Sequence, residues 1–345
     1  MNFILRTLCG LLLFVVAFGS SPAEARQIVD MFGRNVTVPD KIQRVYGTSP
    51  IATYMVYSLN PDLVAGLNTD PSPAAKPYLR PEYFSQPVIG GWFGQGKVSN
   101  LEVLLQVKPD IILICTWTRS AINEKIEKAL EPFNIPIVYA YFEKLSEYPD
   151  AYRFLGTLFN LEDRGEQLAA YSQKILDDSA KVRAGLKAEE HPRIYYAEGP
   201  KGLQTECDSS IHAQLITLSG GINVHQCSDS NPHGLVTVSM EQILHYAPEV
   251  IVTHDDEFLA TVRTEKKWQS IKAVQTGRIY KIPTRPFNWF DRPPSFMRLL
   301  GLEWMQNVLY QQPTTDELIA EMQNFYRVFL GVELSAVEAQ QLLSP

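Results

Sequence analysis

Residues 162–188, EDRGEQLAAYSQKILDDSAKVRAGLKA, have the pattern of one long helix. The apolar positions in this segment recur at steps of three, four or seven residues, which is the spacing of one face of a helix. These positions are Leu168, Tyr171, Ile175, Val182 and Leu186. The segment has no proline, and Gly165 and Gly185 lie near its ends, where glycine costs a helix least. At about 1.5 Å per residue it would span roughly 40 Å. We predict a strut between two lobes, with the functional site in the gap between them.

The composition is that of a globular protein. The chain has 345 residues, of which 45% are hydrophobic and 20% are charged. This length suffices for two ordinary domains or one large one. The formal net charge of −7, without any basic cluster, argues against a nucleic-acid partner.

The first 25 residues have the features of a secretory signal peptide. Arg6 precedes the apolar run 8–18, and Ala23-Glu24-Ala25 supplies a small-x-small cleavage signal. The run is too short to span a bilayer. Cys9 lies inside the run rather than after it, which argues against a lipoprotein anchor. We expect cleavage after Ala25 and export of a soluble protein.

Export changes how the remaining cysteines are interpreted. Cys115 ends an apolar run and is predicted to be a buried strand thiol. Cys207 and Cys227 flank a predicted helix, and an oxidising compartment favours a disulfide between them. The alternative is a metal site that adds a histidine: His212, His225 or His233. No pair has CxxC or HxxxH spacing, which favours the disulfide.

Strand and helix patterns alternate on both sides of the strut. We therefore predict the α/β class, with two lobes whose mostly parallel central sheets are joined by one long rigid α-helix. The expected units are an N-terminal lobe (26–145), a helical segment that includes the strut (146–188), and a C-terminal lobe with terminal helices (189–345). Strands are predicted at 44–46, 63–66, 111–114, 135–139, 193–197, 250–253 and 277–282.

One helix–proline–strand unit occurs twice in matching register. In the first copy a helix ends before Pro109 and an apolar strand follows. In the second copy a helix ends before Pro248, again followed by an apolar strand. Each copy places a glutamate, Glu102 or Glu241, seven residues before its proline. The repeat predicts two lobes of similar build.

Glu102 and Glu241 have a local explanation and a functional one. Carboxylates favour the first turn of a helix, and Ser99 with Glu102 fits a capping box. In the second copy Gln242, not Glu241, stands at the box position after Ser239. Capping therefore does not explain the matched pair. Two exposed carboxylates, one per lobe, could dock a partner with matched basic residues.

Common catalytic signatures are missing from the sequence. It has no GxSxG elbow, Walker loop or HExxH motif, and no GxGxxG between a strand and a helix. We expect a protein that is not an enzyme and has no cofactor and no resident metal. The alternative from another class is an exported metalloenzyme that needs free thiols. It would use Cys207, His212, His225, Cys227 and His233.

Several segments share their order and spacing with one known family. They are residues 30–39 with Phe32-Gly33-Arg34, 99–102 through 108–110, 219–224, 239–242, 277–280 and 289–292. Together they resemble periplasmic solute-binding proteins of the class that serves ABC importers of ferric siderophores, haem and cobalamin. The last segment, Trp289-Phe290-Asp291-Arg292, resembles a Trp-Phe-Glu-Arg segment of the cobalamin binder.

The resemblance implies a monomer of two α/β lobes joined by one rigid helix, located in the periplasm. It would capture an iron or other metal complex in its cleft and deliver it to an inner-membrane ABC permease. In this family one glutamate per lobe meets arginines of the permease, which maps here onto Glu102 and Glu241.

The resemblance also places ligand-binding residues in the loops that follow strands. Mapped here, they are Thr48, Ser49, Trp92, Phe93, Trp117, Arg119, Tyr196, Trp289, Phe290 and Arg292. Aromatic rings would cover a flat chelate, and arginines would meet its carboxylates. Alternative ligands are an oxyanion such as molybdate or tungstate, and a nickel ion. The family often has a glutamate in the helix after Pro50, but residues 51–54 have none.

Overall fold

The computed structural model describes residues 25–92, 99–116, 118–227 and 235–344. The predicted signal peptide lies outside these residues, except for Ala25, which begins the first strand. The strands are β1 (Ala25–Val29), β2 (Asn35–Pro39), β3 (Val45–Gly47), β4 (Ile111–Cys115), β5 (Ile137–Ala140), β6 (Arg193–Tyr196), β7 (Gln204–Thr205), β8 (Ile222–Asn223), β9 (Val236–Thr237), β10 (Val250–Thr253) and β11 (Ile279–Lys281).

The helices lie between and after these strands along the chain. They are α1 (Pro50–Leu59), α2 (Pro81–Phe84), α3 (Leu101–Val107), α4 (Ala121–Leu130), α5 (Tyr148–Leu158), α6 (Glu162–Ala184), α7 (Gln214–Leu218), α8 (Met240–Tyr246), α9 (Asp256–Val262), α10 (Lys272–Gln275), α11 (Met297–Tyr310), α12 (Thr315–Phe325) and α13 (Ala336–Leu343). Within the described residues, no helix is long and apolar enough to cross a bilayer.

Two parallel sheets form the centres of the two lobes, which confirms the predicted α/β class. The first sheet has the order β3-β4-β5, and the second has the order β8-β6-β10-β11. At the outer edge of the first sheet, Val64 makes a single parallel bridge to Val45. The predicted strand at 63–66 is therefore wrong. Pro61–Leu63 is a 3-10 turn capped by Asn60. Of the predicted strand pairing, only the bridge between Val64 and Val45 is present.

The repeated unit has the same geometry in both lobes. Helices α3 and α8 each have seven residues, and each ends in a left-handed residue directly before its proline. These residues are Lys108, with φ 49°, and Ala247, with φ 42°. Each helix leads into an interior strand of its sheet, β4 or β10.

The predicted capping box at Ser99 is wrong. Asn100 is the N-cap of α3, and its side chain accepts hydrogen bonds from the amides of Glu102 and Val103 at 3.0 and 3.2 Å. Asx side chains reach these amides readily, so Asn100 takes the cap position. Ser99 instead lies 3.1 Å from the hydroxyl of Tyr46.

A single hydrophobic core joins the two lobes. In β3 and β4, alternate residues point to opposite faces of the sheet, so Val45 and Leu113 enter one core and Tyr46 enters another. In the second lobe Tyr196 enters the same core as Val45, whereas Tyr195 enters a separate one. Residues of α1, α5, α6, α11 and α12 complete the shared core. A core that runs through both lobes resists a wide hinge motion.

The strut exists but is shorter than predicted. It is α6, with 23 residues, and Gly185 ends it four residues before the predicted limit. At about 1.5 Å per residue it spans roughly 34 Å. Near its N-terminal end, α6 packs closely on α5. A Cβ added to Gly165 would lie 2.8 Å from the Cα of Gly156 and 2.7 Å from the carbonyl oxygen of Tyr152.

The strut contacts both lobes. In its first half, Arg164 donates to the carbonyl of Ser58 on α1 at 2.8 Å. In its second half, the Ser179 hydroxyl donates to the carbonyl of Leu218 on α7 at 3.2 Å. The terminal helices return to the first lobe, since Tyr57 donates to the carbonyl of Leu330 at 3.2 Å. The strut thus fixes the distance between the lobes.

Candidate functional site

The carboxyl ends of β6, β10 and β11 meet at one edge of the second sheet, because these three strands are neighbours and parallel. Glu198 follows β6 and His254 follows β10, while the loop after β11 brings back Asp291. One ligand atom from each of these three residues lies within 4.8 Å of the others. We call Glu198, His254 and Asp291 the C-lobe cluster.

Asp291 is fully buried at the centre of the C-lobe cluster. Its Oδ1 accepts a hydrogen bond from the Tyr196 hydroxyl at 2.6 Å, and that hydroxyl also lies 3.1 Å from His254 Nδ1. Its Oδ2 lies 3.0 Å from His212 Nδ1, but neither atom has an aligned hydrogen-bond partner among the described residues. Burial, followed by the charges of Asp291 and Glu198, raises the pKa of Tyr196, so its phenol stays protonated and donates.

Arg292 is the cation nearest to the C-lobe cluster. Its Nε donates to Glu198 Oε1 at 2.8 Å, and its terminal nitrogen pairs with Glu206. Burial, aided by the charge of Asp291 and opposed by Arg292, raises the pKa of Glu198 to about 7. The second oxygen of Glu198, Oε2, is buried without a hydrogen-bond partner among the described residues. This sheet edge therefore has more acceptors than donors.

The carboxyl end of β3 in the first lobe offers neutral donors. Thr48, at the end of β3, is fully buried, and its carbonyl accepts from the amide of Trp92 at 2.9 Å. Ser49 is the N-cap of α1, yet its side chain makes no capping hydrogen bond. In the described part of the chain, Ser49 Oγ is buried without a partner, and Trp92 Nε1 is buried near the Tyr46 hydroxyl without an aligned hydrogen bond. A helix N-terminus also favours negative charge.

Contacts between the lobes hold these two edges together. The fully buried Arg298 donates to the carbonyl of Glu143 at 2.7 Å and to that of Ile211 at 2.8 Å. The ring of Tyr54 on α1 stacks on that of Phe287 in the loop after β11, with centroids 3.8 Å apart. Burial and the charge of the neighbouring Glu147 raise the pKa of Glu143 to about 7, although nearby cations act to lower it.

The structure distributes the residues expected in the cleft over several places. Tyr196 and Arg292 contact the C-lobe cluster, and Ser49 and Trp92 lie beside the carboxyl end of β3. Arg119 is exposed and pairs with Glu127 at 2.5 Å, in a surface groove that Arg34 also lines. Phe93 and Trp117 lie outside the described residues.

Trp289 and Phe290 are fully buried. The indole of Trp289 donates to the carbonyl of Arg285 at 3.0 Å, and the ring of Phe290 packs on Tyr196 with centroids 4.8 Å apart. In this arrangement neither ring reaches solvent. Both rings form the packed base of the loop that carries Asp291.

Sequence reasoning did not single out three residues of the candidate site: Glu198, Glu206 and His254. Two of them carried a usable signal. Glu198 lies two residues after Tyr196, the last residue of β6, and His254 directly follows β10. In a parallel sheet, the residues that follow the strands lie together at one edge. Nothing in the local sequence marks Glu206.

Cys207 and Cys227 form a disulfide, with an S–S distance of 1.96 Å and a Cα–Cα distance of 5.6 Å. His225 lies beside it, with Nε2 3.4 Å from the sulfur of Cys227. Because both sulfurs are bonded to each other, neither is a thiolate that could bind a metal. The metalloenzyme hypothesis required both thiols to be free, and His233 lies outside the described residues.

Glu102 and Glu241 occupy the same place in the repeated unit. Each is exposed at the second position of its helix, α3 or α8. Hydrogen bonds to its own amide and to Ser239 hold the pKa of Glu241 below its usual value, so this carboxylate is charged. One turn later each helix exposes a leucine: Leu105 is 40% exposed and Leu244 is 44% exposed. We call these four residues the matched surface.

Comparison with known proteins identifies the family. The model of the periplasmic binding protein family matches residues 56–286. This chain belongs to that family, which confirms the resemblance drawn from its motifs. Proteins of this family are solute-binding proteins rather than enzymes.

Two curated relatives and one solved structure illustrate the similarity. The chain is 29% identical to a vitamin B12-binding protein of Pectobacterium carotovorum over 72% of this chain and 82% of the relative. It is 26% identical to the molybdate-binding protein MolA of Haemophilus influenzae over 87% of this chain and 89% of that one. An ABC transporter solute binding protein from Sulfurospirillum deleyianum is 36% identical, with a TM-score of 0.84 over 92% of this chain and 98% of that chain.

Proposed function

We propose that this chain is the substrate-binding component of an ABC importer and that its cargo is a metal complex. The observation that carries the proposal is the C-lobe cluster, where buried carboxylate oxygens and an imidazole converge at one sheet edge. Such atoms suit a cationic or metal-bearing face of a ligand. The cargo would be an iron complex or another metal complex: a siderophore, haem or a corrinoid.

The two edges would hold opposite sides of the cargo. The C-lobe cluster offers acceptors, whereas Ser49 offers a hydroxyl donor that has no partner among the described residues. A metal complex carries both kinds of surface, since its metal is positive and its chelating oxygens are negative. Phe93 and Trp117 would add rings against the chelator. Trp289 and Phe290 would support the loop beneath Asp291.

The second candidate is an oxyanion. It is favoured by the molybdate-binding relative, which matches 87% of this chain. The start of α1 suits such an anion, because helix N-termini favour negative charge. The C-lobe cluster opposes it, because Arg292 is already paired with Glu198 and Glu206 and leaves the surrounding carboxylates in excess. The metal complex therefore fits the charges better.

The matched surface would dock the importer. Its two glutamates would meet basic residues on two halves of a permease, and the strut would set the spacing between them. The mature protein would act in the periplasm as a monomer, after removal of residues 1–25.

Native mass spectrometry of protein purified from its own periplasm tests the cargo class. We expect a bound mass that contains a metal and an organic chelator. Tryptophan fluorescence titrations with ferric siderophores, haem, a corrinoid and molybdate then compare the binding of the candidate ligands directly. Binding of molybdate, with no response to any metal complex, would contradict the metal-complex proposal while leaving a carrier function in place.

A further inference from the structure

We infer that reduction of the disulfide between Cys207 and Cys227 creates a binding site for a thiophilic metal ion, Zn²⁺. Its ligands are the two released thiolates and the imidazole of His225. The site goes beyond the proposed carrier function and shares no ligand with the C-lobe cluster. It binds metal in the reduced chain only, because both sulfurs are bonded to each other in the oxidised chain.

Three metal-binding groups already converge at the disulfide. One ligand atom each of Cys207, His225 and Cys227 lies within 4.8 Å of the other two. Zn²⁺ binds nitrogen at about 2.0 Å and sulfur at about 2.3 Å, so its ligand atoms lie roughly 3.5–3.8 Å apart in a tetrahedron. The Cα atoms of the two cysteines are 5.6 Å apart. Once the sulfurs are free, rotation of their side chains brings them to the separation that one ion requires.

Tyr246 holds the imidazole in the orientation that a ligand needs. His225 Nδ1 lies 2.8 Å from the Tyr246 hydroxyl, and Nε2 lies 3.4 Å from the sulfur of Cys227. Metal binding selects the tautomer in which Nδ1 carries the proton and donates to the hydroxyl oxygen, which leaves the lone pair of Nε2 for the ion. Such a contact behind a ligand fixes the direction of its ring.

Hydrogen bonds other than the disulfide keep the two ends of this loop together. The amide of Asp208 donates to the carbonyl of His225 at 3.0 Å, and the amide of Cys227 donates to Asp208 Oδ1 at 3.2 Å. The side chain of Asn223 accepts from the amide of His225 at 3.0 Å and donates to the carbonyl of Glu206 at 3.0 Å. The ligands therefore stay close after the sulfur bond is broken, so metal binding orders little additional chain.

The reduction step balances with a dithiol as the reductant. A thiolate of the dithiol attacks the sulfur of Cys227, which is half-buried, and releases Cys207, which is 5% exposed. The second thiol of the dithiol then resolves the mixed disulfide, so the dithiol is oxidised and both cysteines are reduced. An ion that binds both sulfurs displaces their two protons. It also holds the sulfurs apart and so opposes their return to the disulfide.

The donor set and the charge favour zinc. Two thiolates with an imidazole suit Zn²⁺ or Cu⁺, whereas sites for Mg²⁺ and Ca²⁺ are built from oxygen atoms. Zn²⁺ neutralises two thiolates completely, whereas Cu⁺ leaves one negative charge. Neutrality matters here because Cys207 is 5% exposed and His225 is 9% exposed, and an uncompensated buried charge is costly. A water molecule completes the tetrahedron at the fourth position.

Zinc titration of the mature protein in its oxidised and reduced states tests the inference. The protein carries no tag, is freed of metal, and is reduced with a phosphine. We expect calorimetry to show one more Zn²⁺ bound per chain in the reduced state than in the oxidised state. An ion held by the C-lobe cluster binds in both states and cancels in this difference. Cys115 cancels as well, because it is a free thiol in both states. With Co²⁺, thiolate charge-transfer absorption should arise in the reduced state only.

Two variants and a matched control assign the site. Tyr246→Phe removes the contact behind His225 and should weaken the additional binding by about tenfold. His225→Gln removes the ligand itself and should weaken it by more. His245→Gln, an exposed position on α8, should bind as wild type does.

Equal zinc binding by oxidised and reduced wild type would overturn the inference, as would wild-type affinity in reduced His225→Gln. Circular dichroism reports whether the reduced chain stays folded. A reduced chain that unfolds and does not refold with zinc would also contradict the inference, because an ion bound to a site made by the fold must stabilise that fold.

Discussion

The two lobes repeat one another on the outside but differ at the edges that face the cleft. Outside, α3 and α8 have the same length and the same left-handed end, and each exposes a glutamate and a leucine at the same positions. At the cleft, the first lobe presents neutral donors at Ser49 and Trp92, whereas the second presents buried acids and a histidine. Under the proposed function, a surface that docks on two halves of a permease would stay the same in both lobes, whereas a surface that fits an asymmetric ligand would not.

The shared core makes this division possible. Because one hydrophobic core runs through both lobes, the matched surface and the cleft edges keep fixed positions relative to each other. Under the proposed function, charge differences at the cleft could then select a ligand without moving α3 and α8.

Reversing both charges of the matched surface should have the largest effect. Glu102→Lys with Glu241→Lys should abolish transport in an uptake assay, because two basic partners would then face two cations. Ligand affinity measured by calorimetry should not change. Glu124→Lys with Glu257→Lys, on exposed first turns of α4 and α9, is the control and should transport normally. Normal transport by the first pair would mean that its carboxylates serve the helices alone.

Gly165→Ala should disrupt the shared core. The added methyl group would meet backbone atoms at 2.7 and 2.8 Å, and backbone cannot yield as a flexible side chain can. We expect a loss of about 3 kcal/mol in the free energy of unfolding, measured with a chemical denaturant. Gly185→Ala is the control, since its nearest neighbours lie at 3.5 and 3.7 Å. Equal stability of the two variants would show that the contact between α5 and α6 is not tight.

The N-caps of α1 and α8 should respond in opposite ways. Ser49→Ala removes a hydroxyl without a capping bond, so we expect no loss of stability but about fivefold weaker ligand binding. Ser239→Ala removes a bond to the amide of Gln242, so it should cost about 1 kcal/mol of stability and leave affinity unchanged. A stability loss in Ser49→Ala with normal affinity would place its hydroxyl outside the ligand site.

The exposed leucines of the matched surface should have the smallest effect. Leu105→Ser or Leu244→Ser should lower the rate of transport by about threefold each, since each removes a partly exposed apolar contact with the permease. Stability should be unchanged. Ile122→Ser on α4, also 40% exposed, is the control. A similar loss of transport in Ile122→Ser would mean that the docking surface extends beyond the matched helices.

Most predicted elements that depend on local pattern were found, with small errors at their ends, and the strand at 63–66 was not. The strut follows from a periodic apolar face, and Leu168 and Ile175 lie on the buried side of α6. Its C-terminal limit was wrong because Gly185 ends the helix while the apolar pattern continues to Leu186. The predicted cap of α3 was wrong because Ser99 and Asn100 are both residue types that suit an N-cap. The contact between Ser99 and the Tyr46 hydroxyl joins distant parts of the chain, so the local pattern does not reveal it.

The sequence by itself determined the class of fold, the strut, the repeated unit and the family, because periodicity, caps and motif spacing are properties of neighbouring residues. Only the tertiary structure brought Glu198, His254 and Asp291 together, since their proximity depends on which strands pair and where a long loop returns. It also showed that Trp289 is buried and that the carboxylates already hold Arg292. Burial and charge pairing arise from the packing of distant segments, so local sequence patterns do not carry them.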